Sequence, residues 1–207
     1  PTGQRVRSRY LIERFVLRCT LSLAVSTATD PAEEASSKSS VIVGNPEQLS
    51  ARRDLPHAEL EAEHSSKLMR NMLQLHAQLG FGKVLELVGR RATKSAVQRM
   101  LQGAAWVHMS CHARGSGRGA LQMAGGEALE GDEIERSVRL SAGATVVLSA
   151  CSSSNLAPSF LAARAGAVVS SLWAADDRAT EQLMFDFYLL VATGCKVPQV
   201  LGCLQRP

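Results

Sequence analysis

Trp106-Val107-His108-Met109-Ser110-Cys111-His112 and Thr145-Val146-Val147-Leu148-Ser149-Ala150-Cys151 are the two stretches that decide how this chain folds. Each is a short, mostly apolar run that breaks abruptly into small or reactive residues. Such a run is too short for a typical helix and lacks the polar alternation of a half-exposed strand, so it reads as a strand buried on both faces. Ser40-Val41-Ile42-Val43, closed by the turn-forming Gly44-Asn45-Pro46, has the same character, and residues 168–173 supply a fourth strand. A short strand over residues 120–123 precedes Gly125-Gly126.

Helical patterns separate these strands. Pro56 suits a first helical turn, and Leu68, Met72, Leu75 and Leu79 then recur along one helical face. Residues 93–101 place Ala96, Val97, Met100 and Leu101 on one side, and Asp132 stands where it can cap a helix over residues 132–140. Pro158 opens a small-residue helix reaching about Ala165, and a long helix runs from Asp177 to about Ala192. Alternating buried strands and helices specify an α/β fold of three layers, a mostly parallel central sheet with helices on both faces. Residues 10–23 fit a first strand or a short helix equally, and the small polar residues of 26–40 read as an exposed loop. Segment 1–39 is therefore partly loop, and residues 1–207 are expected to form one domain.

Composition narrows the function. A 45% hydrophobic and 20% charged chain is that of an ordinary globular protein, and no window offers the roughly 20 uninterrupted apolar residues of a membrane span. The net charge of +4 is spread thinly and aromatics are only 4%, which argues against a nucleic-acid surface. Five cysteines without framework spacing fit free thiols in a reducing compartment, so a cytoplasmic location is expected. The sequence opens on Pro1 without a charged and then apolar leader, as a piece excised from a longer chain would.

In a parallel sheet the working residues gather beyond the carboxyl ends of the strands. Here those ends deliver Ser110-Cys111-His112 and Ala150-Cys151-Ser152. A cysteine is a useful nucleophile as thiolate and needs a base beside it, which His112 supplies to Cys151 if their strands are neighbours. A core thiol with no chemistry is the competing reading of any cysteine that ends an apolar strand. His108 and His112 sit four apart around Cys111, the spacing of a helical zinc pair, but this segment is strand and loop and lacks the His-Glu-x-x-His glutamate. No metal or other cofactor is expected. Gly115, Gly117 and Gly119 lack the Lys-Ser/Thr ending of a phosphate loop and read as a mobile loop.

Residues 107–113 (V-H-M-S-C-H-A) resemble the V-H-L-A-C-H-G segment of the CHAT domain family, caspase-like and separase-like peptidases often found behind tetratricopeptide repeats. Further blocks follow the family in order: VIVGNP at 41–46, Leu55-Pro56-His57-Ala58-Glu59 with Glu61-Ala62, Ala92-Thr93-Lys94 with Val97, VVLSAC at 146–151, and Ala165-Gly166-Ala167. Ser171-Leu172-Trp173 with Asp176-Asp177-Arg178-Ala179-Thr180 completes the set. The resemblance implies a caspase-like fold and a cysteine endopeptidase with His112 as base and Cys151 as nucleophile. It implies backbone amides of Ala113 and Cys151 as the oxyanion hole, and Asp176 or Asp177 near the pocket for the residue preceding the cut. Helix capping is the competing role for both aspartates. His108 is expected to brace the site from its strand. The expected partners are a protein or peptide substrate and a tetratricopeptide-repeat region of the same full-length chain, with no nucleic acid and no membrane.

One position and one segment depart from the family. Ala113 stands where glycine is usual, and Ser152-Ser153-Ser154-Asn155 replaces an acidic residue, threonine and glycines after the cysteine. These departures keep a second hypothesis open, a peptidase-like scaffold that binds proteins without cleaving them.

Overall fold

A computed structural model describes residues 39–49, 54–75 and 82–205. The open assignment over residues 10–23, most of the 26–40 loop and Leu79 lie outside that range. In chain order the first elements are β1 (Ser39–Gly44), α1 (Pro56–Leu75), β2 (Lys83–Val88), α2 (Lys94–Leu101), β3 (Ala104–Ser110), β4 (Ala113–Arg114), β5 (Ala120–Gln122) and β6 (Ala128–Glu130). Then come α3 (Gly131–Ser137), β7 (Ala144–Ser149), α4 (Ala157–Ala162), β8 (Ala165–Ser170), α5 (Asp177–Ala192) and α6 (Val197–Leu204).

Five strands form one sheet in the order β2-β1-β3-β7-β8, every neighbouring pair parallel. Strand alternation sorts the side chains into two cores. Val41, Val43, Val107, Met109, Val146 and Leu148 face a layer built from α2, α3 and α4 through Val97, Leu101, Ile134 and Phe160. Ile42, Trp106 and Val147 face α1, α5 and α6 through Ala62, Met69, Met184, Phe187 and Val200. This is the three-layer α/β architecture expected from the sequence. The short antiparallel β4-β5-β6 sheet adds Leu121 and Leu129 to the first core. No helix among the described residues is long and apolar enough to cross a membrane.

Several elements differ from the sequence reading for identifiable reasons. The buried face of α1 is Ala58, Glu61, Ala62, Ser65, Met69 and Met72, while Leu68 is only half-buried. Small residues prevail there because α1 crosses β1 closely: a Cβ on Gly44 would lie 2.3 Å from the Cβ of Ala62. The fourth strand runs over 165–170, not 168–173, so Leu172 and Trp173 leave the sheet. In α3 the cap is Glu130, whose backbone N–H is answered by Glu133 Oε2 at 3.0 Å, and Asp132 lies inside the first turn. β2, β4, β6 and α6 have patterns too short or too weakly periodic to stand out in the sequence.

One polar cluster runs through the second core. His108, fully buried on β3, places Nε2 2.9 Å from Glu61 Oε1 of α1 without in-line hydrogen-bond geometry, and Nδ1 3.0 Å from the Tyr188 hydroxyl of α5. Trp106 Nε1 donates to the same hydroxyl at 3.1 Å. Buried polar groups persist in cores when they partner one another, and this set ties three elements to one point.

Burial pushes the Cys111 thiol up to about 12, with the Glu61 charge adding to it, and burial likewise raises the Tyr188 hydroxyl above its ordinary value. The unfolded chain therefore releases these protons at lower pH than the folded one, and stability falls as pH climbs from about 9 toward 12. Each group contributes a slope of at most ~1.4 kcal/mol per pH unit. Urea denaturation across this range should show the decline, and Cys111→Ala should flatten its lower part; a slope identical in the variant would refute the assignment.

Candidate active site

The site is set by one pairing. β3 and β7 run side by side in parallel, in register from Trp106 opposite Thr145 to Ser110 opposite Ser149. His112 lies two residues beyond Ser110 and Cys151 two beyond Ser149, so both leave the same end of the sheet from adjacent strands. Neighbouring strands are spaced about 4.8 Å apart. His112 and Cys151 are each half-exposed, whereas Cys111 and Ala150, one step earlier, are buried in the first core. The chain thus sinks one thiol and presents the other. Cys111, held protonated by burial, is inert, and Cys195 and Cys203 lie exposed on the surface.

The loop after His112 is anchored at once. Gln122 N donates to the His112 carbonyl at 2.9 Å, and Ala113–Arg114 pairs with β5. Ala113 lies on β4 and is not among the described non-glycine residues with positive φ, so extended backbone accommodates its side chain. The strain sits instead after the cysteine. Ser152 has φ 52° and ψ 36°, a left-handed conformation that costs a non-glycine residue about 1 kcal/mol or more.

Three loops meet around Cys151. Gly115 lies so close that a Cβ there would approach the Ser152 carbonyl to 2.9 Å, and Asn155 Nδ2 donates to the Gly115 carbonyl. From the other side, Ser152 N donates to Trp173 O and Ser154 N to Ser171 O, both at 3.2 Å. Cys151 Sγ makes a long hydrogen bond of 3.7 Å to the Ala175 carbonyl. Leu172 and Trp173 project outward, 70% and 69% exposed.

Asp176 and Asp177 follow Ala175 directly. Asp176 caps α5, accepting from Ala179 N at 2.9 Å. Asp177 Oδ2 accepts from His57 N at 3.1 Å, so it caps α1 rather than its own helix. Partial burial raises the Asp177 carboxyl above its ordinary value; the His57 amide and ring oppose this, while Glu61 and Asp176 add to it. His57 and His64 place their Nδ1 atoms 3.3 Å from the two oxygens of Glu181, fastening α1 to α5. His108 lies beneath, on β3, occupied with Glu61 and Tyr188. Among the described residues no three His, Cys, Asp or Glu side chains converge as a metal site would require.

Sequence reasoning names Glu61, Ser153, Asn155 and Gly115 but does not foresee their contacts. For Glu61 a signal existed: of Glu59, Glu61 and Glu63, only Glu61 shares a helical face with Ala58, Ala62 and Ser65. The loop contacts join positions 40 residues apart for Asn155 and Gly115 and 18 apart for Ser153 and Ser171, and leave no local trace.

Comparison with known proteins agrees with this architecture. Among solved structures the chain is similar to the complex of the pro- and mature domains of RgpB from Porphyromonas gingivalis, at 9% identity and a TM-score of 0.51, covering 81% of this chain and 42% of that one. It is also similar to a structure described as the Arg specific cysteine proteinase gingipain R, at 10% identity and a TM-score of 0.49, covering 76% and 37%. The chain thus spans about two fifths of the solved chains it matches, and at 9% identity the likeness to the RgpB complex is one of fold alone. No curated protein matches. The sequence model of the CHAT domain matches residues 1–201, and this chain belongs to the CHAT domain family.

Proposed function

We propose that this domain is a cysteine endopeptidase in which His112 and Cys151 form the catalytic dyad. The observation that carries the proposal is the direct β3–β7 pairing, which brings both residues off adjacent strand tips at the carboxyl edge of the sheet. His112 accepts the Cys151 proton, the thiolate attacks a peptide carbonyl, and the amides of Ala113 and Cys151 receive the oxyanion. Collapse expels the amine, protonated by His112, and leaves a thioester on Cys151. Water, deprotonated by the same imidazole, then releases the acid. Each oxyanion donor lowers such a barrier by about 3 kcal/mol. The chemistry calls for no cofactor. The substrate is a protein or peptide, a tetratricopeptide-repeat region of the full-length chain is the proposed partner, and the free thiols suit a cytoplasmic setting.

One observation favours a second reading, a CHAT-like scaffold without turnover. The Cys151 thiol donates to the Ala175 carbonyl, beside a Ser152 held in a strained left-handed conformation.

The tests separate the two. Cys151→Ala should abolish cleavage in a fluorogenic peptide library, and His112→Ala should lower it about a hundredfold or more. Cleavage surviving Cys151→Ala would remove Cys151 as the nucleophile, and cleavage absent from the native full-length protein with its partner would favour the scaffold.

The pocket for the residue preceding the cut lies, on this proposal, beside Asp176 and Asp177, which follow the carbonyl that touches the nucleophile. The Asp177 carboxylate, near Glu61 and half-buried, would favour a basic side chain. Asp177→Asn should lower kcat/KM for Arg over Leu peptides about tenfold, some 1.4 kcal/mol of discrimination. An unchanged ratio, with melting showing the α1 cap intact, would assign Asp177 to capping alone.

A further inference from the structure

Residues 171–175 cross the Cys151 loop without burying a large side chain there. Leu172 and Trp173 point to solvent, and the segment is held by hydrogen bonds. Two of these are the backbone bonds from Ser152 N and Ser154 N. A third passes through a side chain that the dyad does not use. Ser153, 1% exposed and two residues after the nucleophile, accepts from Ser171 N at 3.1 Å and donates to the Leu148 carbonyl of β7 at 3.3 Å. Its hydroxyl is thus a bridge from the strand that carries Cys151 to the first residue after β8. Ser171 Oγ continues the bracing with a 3.0 Å bond to the Trp173 carbonyl. At the far end of the braced segment the Ala175 carbonyl meets the Cys151 sulfur. A carbonyl accepts from a thiol and has nothing to donate to a thiolate.

We propose that Ser153 is a positioning residue that latches residues 171–175 across Cys151, so that the sulfur stays hydrogen-bonded to the Ala175 carbonyl until the segment moves. This rests on the proposed function only in naming Cys151 as the nucleophile. Because the segment's apolar side chains lie outside, opening it exposes no core; it requires only that the serine-mediated and backbone hydrogen bonds part. Binding that engages the 171–175 backbone would free the sulfur and leave the β3–β7 pairing intact.

The test is the rate of Cys151 alkylation by iodoacetamide at fixed pH in the full-length protein, mapped by mass spectrometry with Cys195 and Cys203 as internal references. Ser153→Ala should accelerate Cys151 at least fivefold and leave the reference thiols unchanged, and it should reduce hydrogen-exchange protection of the Ser171 amide. Ser153→Thr, which keeps the hydroxyl, should restore the native rate. An unchanged or slower rate in a folded Ser153→Ala protein overturns the latch. Should that variant not fold, the native protein carries the test: in sub-denaturing urea, exchange of the Ser171 amide and alkylation of Cys151 should accelerate in step, and Cys151 accelerating while the Ser171 amide stays protected overturns the latch. Acceleration with no peptide cleavage by any variant would sink the peptidase reading and leave the latch standing; cleavage without acceleration would do the reverse.

Discussion

The backbone ladder between β3 and β7 is the constraint on which the remainder depends. Both strands lie inside the sheet with neighbours on either side, so every residue has a buried face to satisfy. Slipping the register by one would exchange the two faces. Val107 and Met109 would trade places with Trp106 and His108, and a buried imidazole would enter an apolar layer. Pairing Ser110 with Ser149 therefore follows from where the apolar and polar side chains must go, and the same register fixes where His112 and Cys151 emerge.

The buried Glu61, His108 and Tyr188 cluster makes that register specific. Apolar packing alone tolerates substitution and small shifts, whereas a polar group in a core is costly unless its partner is in place. His108 meets a carboxylate from α1 and a hydroxyl from α5, so β3 and the two helices can adopt only one mutual arrangement without loss. The same helices are fastened at their ends by Asp177 to His57 and by Glu181 to His57 and His64. What lies above this base is held differently. The loops around Cys151 are joined by hydrogen bonds with little side-chain burial, including Asn155 to Gly115 and Ser153 to Ser171. A rigid base beneath loops of lower cohesion is the distribution expected where a site must admit a chain and close on it.

The parts of the structure legible in the sequence were those written in local periodicity. β1, β3 and β7 are unbroken apolar runs, and α5 begins at Asp177 as its capping pattern indicates. Cys151 and His112 could be singled out because strand ends in a parallel sheet collect function. The edge strand β2 is hidden because Lys83 and Glu86 flank and interrupt its apolar residues, and in α1 the large Leu68 masks the role of the small Ala58 and Ala62 that pack against Gly44. Asp176 and Asp177 show the limit: adjacent residues of one type cap two different helices, a distinction that exists only once α1 and α5 are side by side. The contacts of Ser153 and Asn155 depend in the same way on loops brought together by the finished sheet.

The central claim is that His112 acts on Cys151. The most direct measurement is the alkylation rate of each cysteine between pH 5 and 9 in the native protein and in His112→Ala. The account predicts that the variant slows Cys151 about tenfold or more near neutral pH while Cys195 and Cys203 keep their rates. Equal Cys151 profiles in the two proteins would contradict it.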